Sequence, residues 1–93
     1  MAVLHLLGTG SAFADASRTT TMLAFESSGR TLVVDCGGDV IQRLLVSGVD
    51  LAGIEGMIVT HEHADHVGGF PLFMEKVWLS GRRGPIPLYG IEP

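Results

Sequence analysis

The chain holds a single cysteine, Cys36, and so cannot form a disulfide within itself. That excludes the small secreted scaffolds that rely on cross-links instead of a core. Cations are also few. Six Lys and Arg against ten Asp and Glu give a formal charge of −4, which excludes a free-standing nucleic-acid module with its basic face. No apolar run reaches the roughly 20 residues of a membrane span. The opening Met1-Ala2-Val3-Leu4-His5-Leu6-Leu7 has no basic start, is short for a signal-peptide core and precedes no convincing cleavage pattern. The expectation is a cytoplasmic protein with no membrane partner. Repeats, low-complexity tracts and linkers are lacking too.

What is present is apolar. Hydrophobic residues make up 46% of 93, charged residues only 17%, and the mean hydropathy is +0.38. That is far from a disordered composition. The length allows one domain at most. Surface scaling gives a folded area of about 5,200 Å² from about 14,400 Å² unfolded, a small core with about 64% of the surface buried. The chain is more apolar than such a core needs. Part of its apolar surface is therefore expected to face something outside these residues.

The charge is uneven. Residues 1–34 balance Asp15 and Glu26 against Arg18 and Arg30. Residues 35–66 hold Asp35, Asp39, Asp50, Glu55, Glu62 and Asp65 against Arg43 alone, a local charge of −5. Residues 67–93 hold Glu75 and Glu92 against Lys76, Arg82 and Arg83, a charge of +1. The acidic third also carries three of the four histidines. Acids with histidines suit a cation, although scattered acids such as Asp50 and Glu55 read as solvated surface.

Local patterns set the expected elements. Val3–Leu7 is wholly apolar and predicts a strand buried on both faces. Gly8-Thr9-Gly10-Ser11 reads as a turn. Thr19–Glu26 and Arg30–Cys36 predict two antiparallel strands joined at Ser27-Ser28-Gly29, with Gly29 free to take positive φ. Asp39 is placed to cap a helix whose stripe is Val40, Ile41, Leu44 and Leu45, and Gly48 stops it. Met57–Thr60 predicts a short buried strand, followed by a loop over His61–His66. Phe70, Phe73, Met74, Val77 and Trp78 then recur at helical spacing, with Pro71 in the first turn. Gly81–Gly84 is a turn with solvated Arg82 and Arg83, and Ile86–Tyr89 a last strand. Helical stripes need a sheet to lie on, so the class is layered α/β.

The chemistry concentrates in Thr60-His61-Glu62-His63-Ala64-Asp65-His66. A loop directly after a buried strand is where an α/β sheet places its site. Imidazole and carboxylate are ligands for zinc and similar divalent ions. His61 and His63 are two apart, so on extended backbone they point the same way and can share one ion. Asp65 and His66 are adjacent, so they are expected to diverge and face a second ion. Metal pairs about 3.5–4 Å apart are a recurrent hydrolytic device. Glu62 alternates away from the two histidines toward solvent. Elsewhere, Gly8-x-Gly10 is not a dinucleotide loop, because Phe13 occupies the third glycine position. Cys36 lacks a basic partner and reads as buried packing. His5 reads as a packed edge residue.

His61-x-His63-x-Asp65-His66 after a strand resembles the metal signature of the metallo-β-lactamase superfamily. Leu7-Gly8-Thr9-Gly10-Ser11-Ala12, with Arg18 and Thr19–Thr21, resembles the opening of its ribonuclease Z-like branch. Leu32-Val33-Val34-Asp35-Cys36-Gly37-Gly38 resembles that branch's "LxDCG" strand end, and Pro87-Leu88-Tyr89-Gly90 its strand before a Gly-Pro turn. The resemblance implies that residues 1–93 are the N-terminal half of a four-layer αββα sandwich. It implies two divalent metal ions, zinc foremost with manganese or iron as alternatives. His61 and His63 would ligate the first, and Asp65 and His66 the second. Asp65 would also act catalytically by orienting a water, and Asp35 would hold a histidine's free N–H.

The family takes further ligands from later in its chain, whereas no histidine or aspartate follows His66. Ala64 stands where the branch usually has glycine. The activity implied is that of a phosphodiesterase or ribonuclease Z-like endonuclease in tRNA processing, with RNA or a small phosphodiester as substrate. Alternatives are hydrolysis of a lactone, thioester, sulfate ester or cyclic nucleotide on the same scaffold, or an inactive partial chain. Partnering would be a homo-oligomer or pairing with a C-terminal half. The apolar excess would be an inner sheet face, built from alternate residues of Val3–Leu7, Thr21–Phe25, Leu32–Val34 and Ile58–Thr60.

Overall fold

A computed structural model describes residues 2–11, 13 and 18–90. Ala12 of the opening motif, and Asp15 and Glu92 of the charge balance, lie outside the described residues. Five strands form one mixed sheet in sequence order: β1 (Ala2–Gly8), β2 (Met22–Ser27), β3 (Arg30–Val34), β4 (Ile54–Ile58) and β5 (Leu88–Tyr89). The first three run antiparallel, and β3, β4 and β5 are parallel. The β2–β3 hairpin follows from its turn, where Ser28 and Gly29 both have positive φ (54° and 77°). Two such residues match the right-handed twist of the strands they join.

The helices are α1 (Val40–Val46), the one-turn α2 (Ala64–Val67) and α3 (Phe70–Leu79). Asp39 caps α1 by accepting from the Gln42 amide at 3.2 Å. The helix ends as its glycine predicts. Gly48 is left-handed (φ +79°), and the Gly48 and Val49 amides return to the carbonyls of Leu45 and Leu44. Gly81 (φ +106°) ends α3 in the same way. Lys76 on α3 pairs with Asp39 at 2.6 Å and fastens the two helices together.

The strands present alternate residues to two faces. One face is covered by α1 and α3. Leu7, Met22, Ala24, Val33 and Met57 meet Ile41, Leu44, Phe73 and Val77 there in one buried cluster. The other face runs through the paired residues Leu4, Phe25 and Leu32, and through Leu6, Leu23, Val34, Ile58 and Tyr89. Leu6 is 62% exposed and Phe25 49%. Among the described residues nothing covers this face. The total exposed area, 5777 Å², is about a tenth above the scaling expectation.

Several expectations are corrected. The β1 strand is not buried on both faces: it is an edge strand, and Val3, Leu4 and Leu6 are exposed. The β4 strand begins at Ile54 rather than Met57. Leu45, Met74 and Trp78 lie on the outer sides of their helices, because a short sheet covers only a narrow stripe. Arg82 is not a solvated turn residue. Its guanidinium donates to the main-chain carbonyls of Ile54, Gly84 and Pro85. The Arg83 guanidinium stacks over Trp78, 4.9 Å from the ring centroid.

Candidate metal centre

The parallel strands β3 and β4 end side by side, and the site stands on those ends. Val34 is opposite Ile58. Asp35 follows, and its amide donates to the Ile58 carbonyl at 2.8 Å. Asp35 is left-handed (φ +65°), a conformation that Asp and Asn tolerate better than most residues. This turn ends β3 two residues before the expected Cys36.

The Asp35 side chain is buried and fully engaged. It accepts from the Thr60 amide (2.8 Å), the Thr60 hydroxyl (2.6 Å) and His66 Nδ1 (2.7 Å). Burial works to raise its pKa, but the Thr60 hydroxyl and amide and the His66 imidazole together hold it below the usual carboxylate value. An ionised carboxylate only accepts, so His66 carries its proton on Nδ1. Its Nε2 then faces Asp65 Oδ2 at 3.2 Å.

The neighbouring backbone fixes this arrangement. The Cys36 amide donates to the His66 carbonyl (2.9 Å), and the Gly69 amide donates to the Cys36 carbonyl (2.7 Å). The two segments touch at Gly37, where a Cβ would lie 1.8 Å from the Asp65 carbonyl oxygen. Glycine is required by that approach. Cys36 is buried, and burial, then the Asp35 charge, push its thiol up to about 11. It stays protonated and is no nucleophile.

His61 and His66 have ring centroids 4.6 Å apart, and His61 and His63 5.9 Å. All four proposed ligands therefore gather at one strand end. Asp65 and His66 do not diverge as expected for extended backbone. His63 precedes the helical turn α2, and helical backbone brings the adjacent side chains together. Glu62 is exposed. His5 lies away from the cluster, paired with Glu26 at 2.9 Å. Among the described residues, no three His, Cys, Asp or Glu side chains converge closely enough to hold an ion by themselves. Thr60 is the residue that sequence reasoning missed. A hydroxyl residue directly between a buried strand and the first histidine was the available signal.

The family model described as "Anti-Pycsar protein Apyc1" matches residues 2–89. The chain belongs to this family, within the ribonuclease Z-like branch of the metallo-β-lactamase superfamily. It is 37% identical over 94 residues to a ribonuclease Z of Mycolicibacterium paratuberculosis, covering 100% of this chain and 34% of that protein. It is 38% identical over 82 residues to the anti-Pycsar protein Apyc1 of Bacillus phage 010DV004, covering 86% of this chain and 32% of that protein. Human tRNase Z, short form, superposes with a TM-score of 0.84 at 29% identity, over 97% of this chain and 34% of that one. The chain thus spans about a third of the length of the relatives it matches. Its mixed α/β sheet is that of the metallo-β-lactamase fold. No helix among the described residues is long and apolar enough to cross a membrane.

Proposed function

We propose that the protein is a metal-dependent hydrolase of phosphodiester bonds, acting on RNA in the manner its ribonuclease Z relatives are named for. The observation that carries this is the His66 imidazole, held by buried Asp35 through Nδ1 so that Nε2 is offered as a lone-pair donor beside Asp65. Metal-ligating histidines are oriented in this way. The donor set, three imidazoles and a carboxylate, fits a divalent cation such as zinc, with manganese or iron as alternatives.

In this reading His61 and His63 hold one ion, and Asp65 and His66 hold a second. The chemistry such ions supply is the acidification of a water molecule and the polarisation of a phosphoryl oxygen. The protein's own part is positional. Asp35 fixes the tautomer and plane of His66, and Thr60 fixes Asp35 from two directions. Asp65 supplies the carboxylate that orients the attacking water and accepts its proton. Further ligands would come from outside these residues, and the open sheet face would receive a second sheet, from the same polypeptide or another copy. The protein would act in the cytoplasm.

A second reading is favoured by the family match itself, since relatives named anti-Pycsar protein stand beside those named ribonuclease Z. In it, the same site hydrolyses a small ester such as a cyclic nucleotide. The test is turnover of bis(4-nitrophenyl) phosphate, a tRNA with a 3′ extension, a cyclic nucleotide and a lactone, with and without a chelator. Chelator-sensitive cleavage of the extended tRNA supports the first reading. Cyclic-nucleotide or lactone cleavage alone supports the second. No phosphodiester cleavage with any divalent metal refutes the first.

A further inference from the structure

Thr60 stands between the end of β4 and the first histidine of the cluster. Its amide donates to Asp35 Oδ1 at 2.8 Å, and its hydroxyl donates to Asp35 Oδ2 at 2.6 Å. Two bonds to one buried carboxylate fix both the backbone and the side chain of this residue. The same hydroxyl oxygen lies 3.2 Å from His61 Nδ1. Neighbouring side chains on an extended strand point apart, so this contact exists because the chain has left β4.

The direction of that bond follows by elimination. A hydroxyl has one hydrogen and two lone pairs. The Thr60 hydrogen is committed to the Asp35 carboxylate, which only accepts and is the nearer partner. Toward His61 the hydroxyl therefore accepts, and the proton of that bond belongs to His61 Nδ1. In the neutral ring this leaves the lone pair on Nε2. His66 reaches the same state by a direct bond from Nδ1 to Asp35 Oδ2 at 2.7 Å. One carboxylate thus stands behind two rings whose centroids are 4.6 Å apart. It holds one directly and the other through a hydroxyl.

We infer that Thr60 is a positioning residue for His61: its hydroxyl, held by Asp35, fixes the ring with Nδ1 protonated and Nε2 presented as a metal ligand. The inference rests on the metal-site reading above and deepens it. Asp35 then orients one histidine of each proposed pair. Thr60 extends its reach from the ion of Asp65 and His66 to the ion of His61 and His63.

The test joins nitrogen-15 NMR of the histidine rings to zinc titration. Both use a polypeptide that also supplies the second sheet and the remaining ligands, as wild type, Thr60→Val and Thr60→Ser. Spectra are taken on the metal-free form at about pH 8, where imidazoles are neutral. Wild type is expected to show His61 and His66 both protonated on Nδ1. Thr60→Val keeps the amide bond to Asp35 and removes the hydroxyl. It is expected to release His61 to a mixture of tautomers and to leave His66 on Nδ1. It should also weaken about tenfold the zinc step that His61→Ala abolishes, the size of effect seen when a ligand's supporting contact is lost. Thr60→Ser is expected to match wild type in both readouts. His61 protonated on Nε2 in the wild type overturns the inference. So does an unchanged His61 tautomer or an unchanged zinc affinity in Thr60→Val, an equal loss in both zinc steps, or a serine variant that behaves as valine does. If Thr60→Val fails to fold, Thr60→Ala takes its place under the same expectations. A wild type that binds no divalent ion overturns the metal-site reading and this inference with it. The His61 Nδ1 signal separates that result from a failure of the Thr60 contact alone.

Discussion

The two faces of the sheet are built from the same strands and differ in almost everything else. On the covered face, Met22, Ala24, Val33 and Met57 are sealed under α1 and α3, and Phe73 is only 1% exposed. On the open face, Leu4, Leu6, Phe25 and Tyr89 are as apolar but meet no second layer among the described residues. Strand alternation alone decides which residue goes to which side. A solvated sheet face is ordinarily polar, so apolar residues on both faces mark a sheet meant to be covered twice. The candidate ligand cluster sits at the strand ends where the two faces meet, and among the described residues it too brings together no closed set of three donors.

The largest expected contrast comes from one phenylalanine on each face. Phe73→Ala on the covered face should destabilise by about 3–5 kcal/mol, because it leaves a cavity. Phe25→Ala on the open face should cost under about 1 kcal/mol in residues 1–93, since half of the ring is already in water. Chemical denaturation of both variants measures this. The contrast sharpens in a longer polypeptide that covers the open face, where Phe25→Ala should approach the cost of Phe73→Ala.

Next comes the rim. Asp35→Asn keeps a residue that tolerates the left-handed backbone but replaces one accepting oxygen by a donor. The bond to His66 Nδ1 weakens, and metal affinity should fall about 10–100-fold; because the buried carboxylate also accepts from Thr60, the melting temperature should fall as well. Zinc competition with a chromophoric chelator checks this. An unchanged affinity would mean that Asp35 serves the strand end and not the histidine.

The smallest effect concerns the clamp on the covered face. Burial works to raise the Asp39 pKa, but the Lys76 hydrogen bond, the Gln42 amide and the Lys76 charge together hold it below the usual value. A lowered folded pKa contributes stability above the unfolded carboxylate pKa, and this is lost as pH falls through the folded value. Asp39→Asn should therefore lose about 0.5 kcal/mol at pH 7, the scale of a partly exposed pair, and progressively less as the pH falls below the unfolded carboxylate range. Melting curves at neutral and acidic pH test the sign.

Much of the covered face was legible because its signals are local. Asp39 and Gly48 bracket α1, Pro71 opens α3, and Ser28-Gly29 turns the hairpin. The open face was legible only as a surplus of apolar residues, and the alternation within each strand then assigned it. The exposure of β1 was not legible, because being an edge strand depends on the order of the whole sheet. At the site, the histidines and Asp65 were visible as a cluster. Their mutual geometry was not, since nothing local shows that α2 begins after His63: that position has no side-chain cap. The Thr60 contact to Asp35 joins residues far apart in sequence and needed the parallel pairing of β3 with β4.

The central claim is that the strand-end cluster binds metal, and a zinc titration of a polypeptide that also supplies the second sheet and the remaining ligands addresses it most directly. The account predicts two bound equivalents, one lost in a His61→Ala His63→Ala double variant and the other in an Asp65→Ala His66→Ala double variant. Binding that is unaffected when all four residues are replaced would contradict it, as would the absence of any bound divalent ion in the wild type.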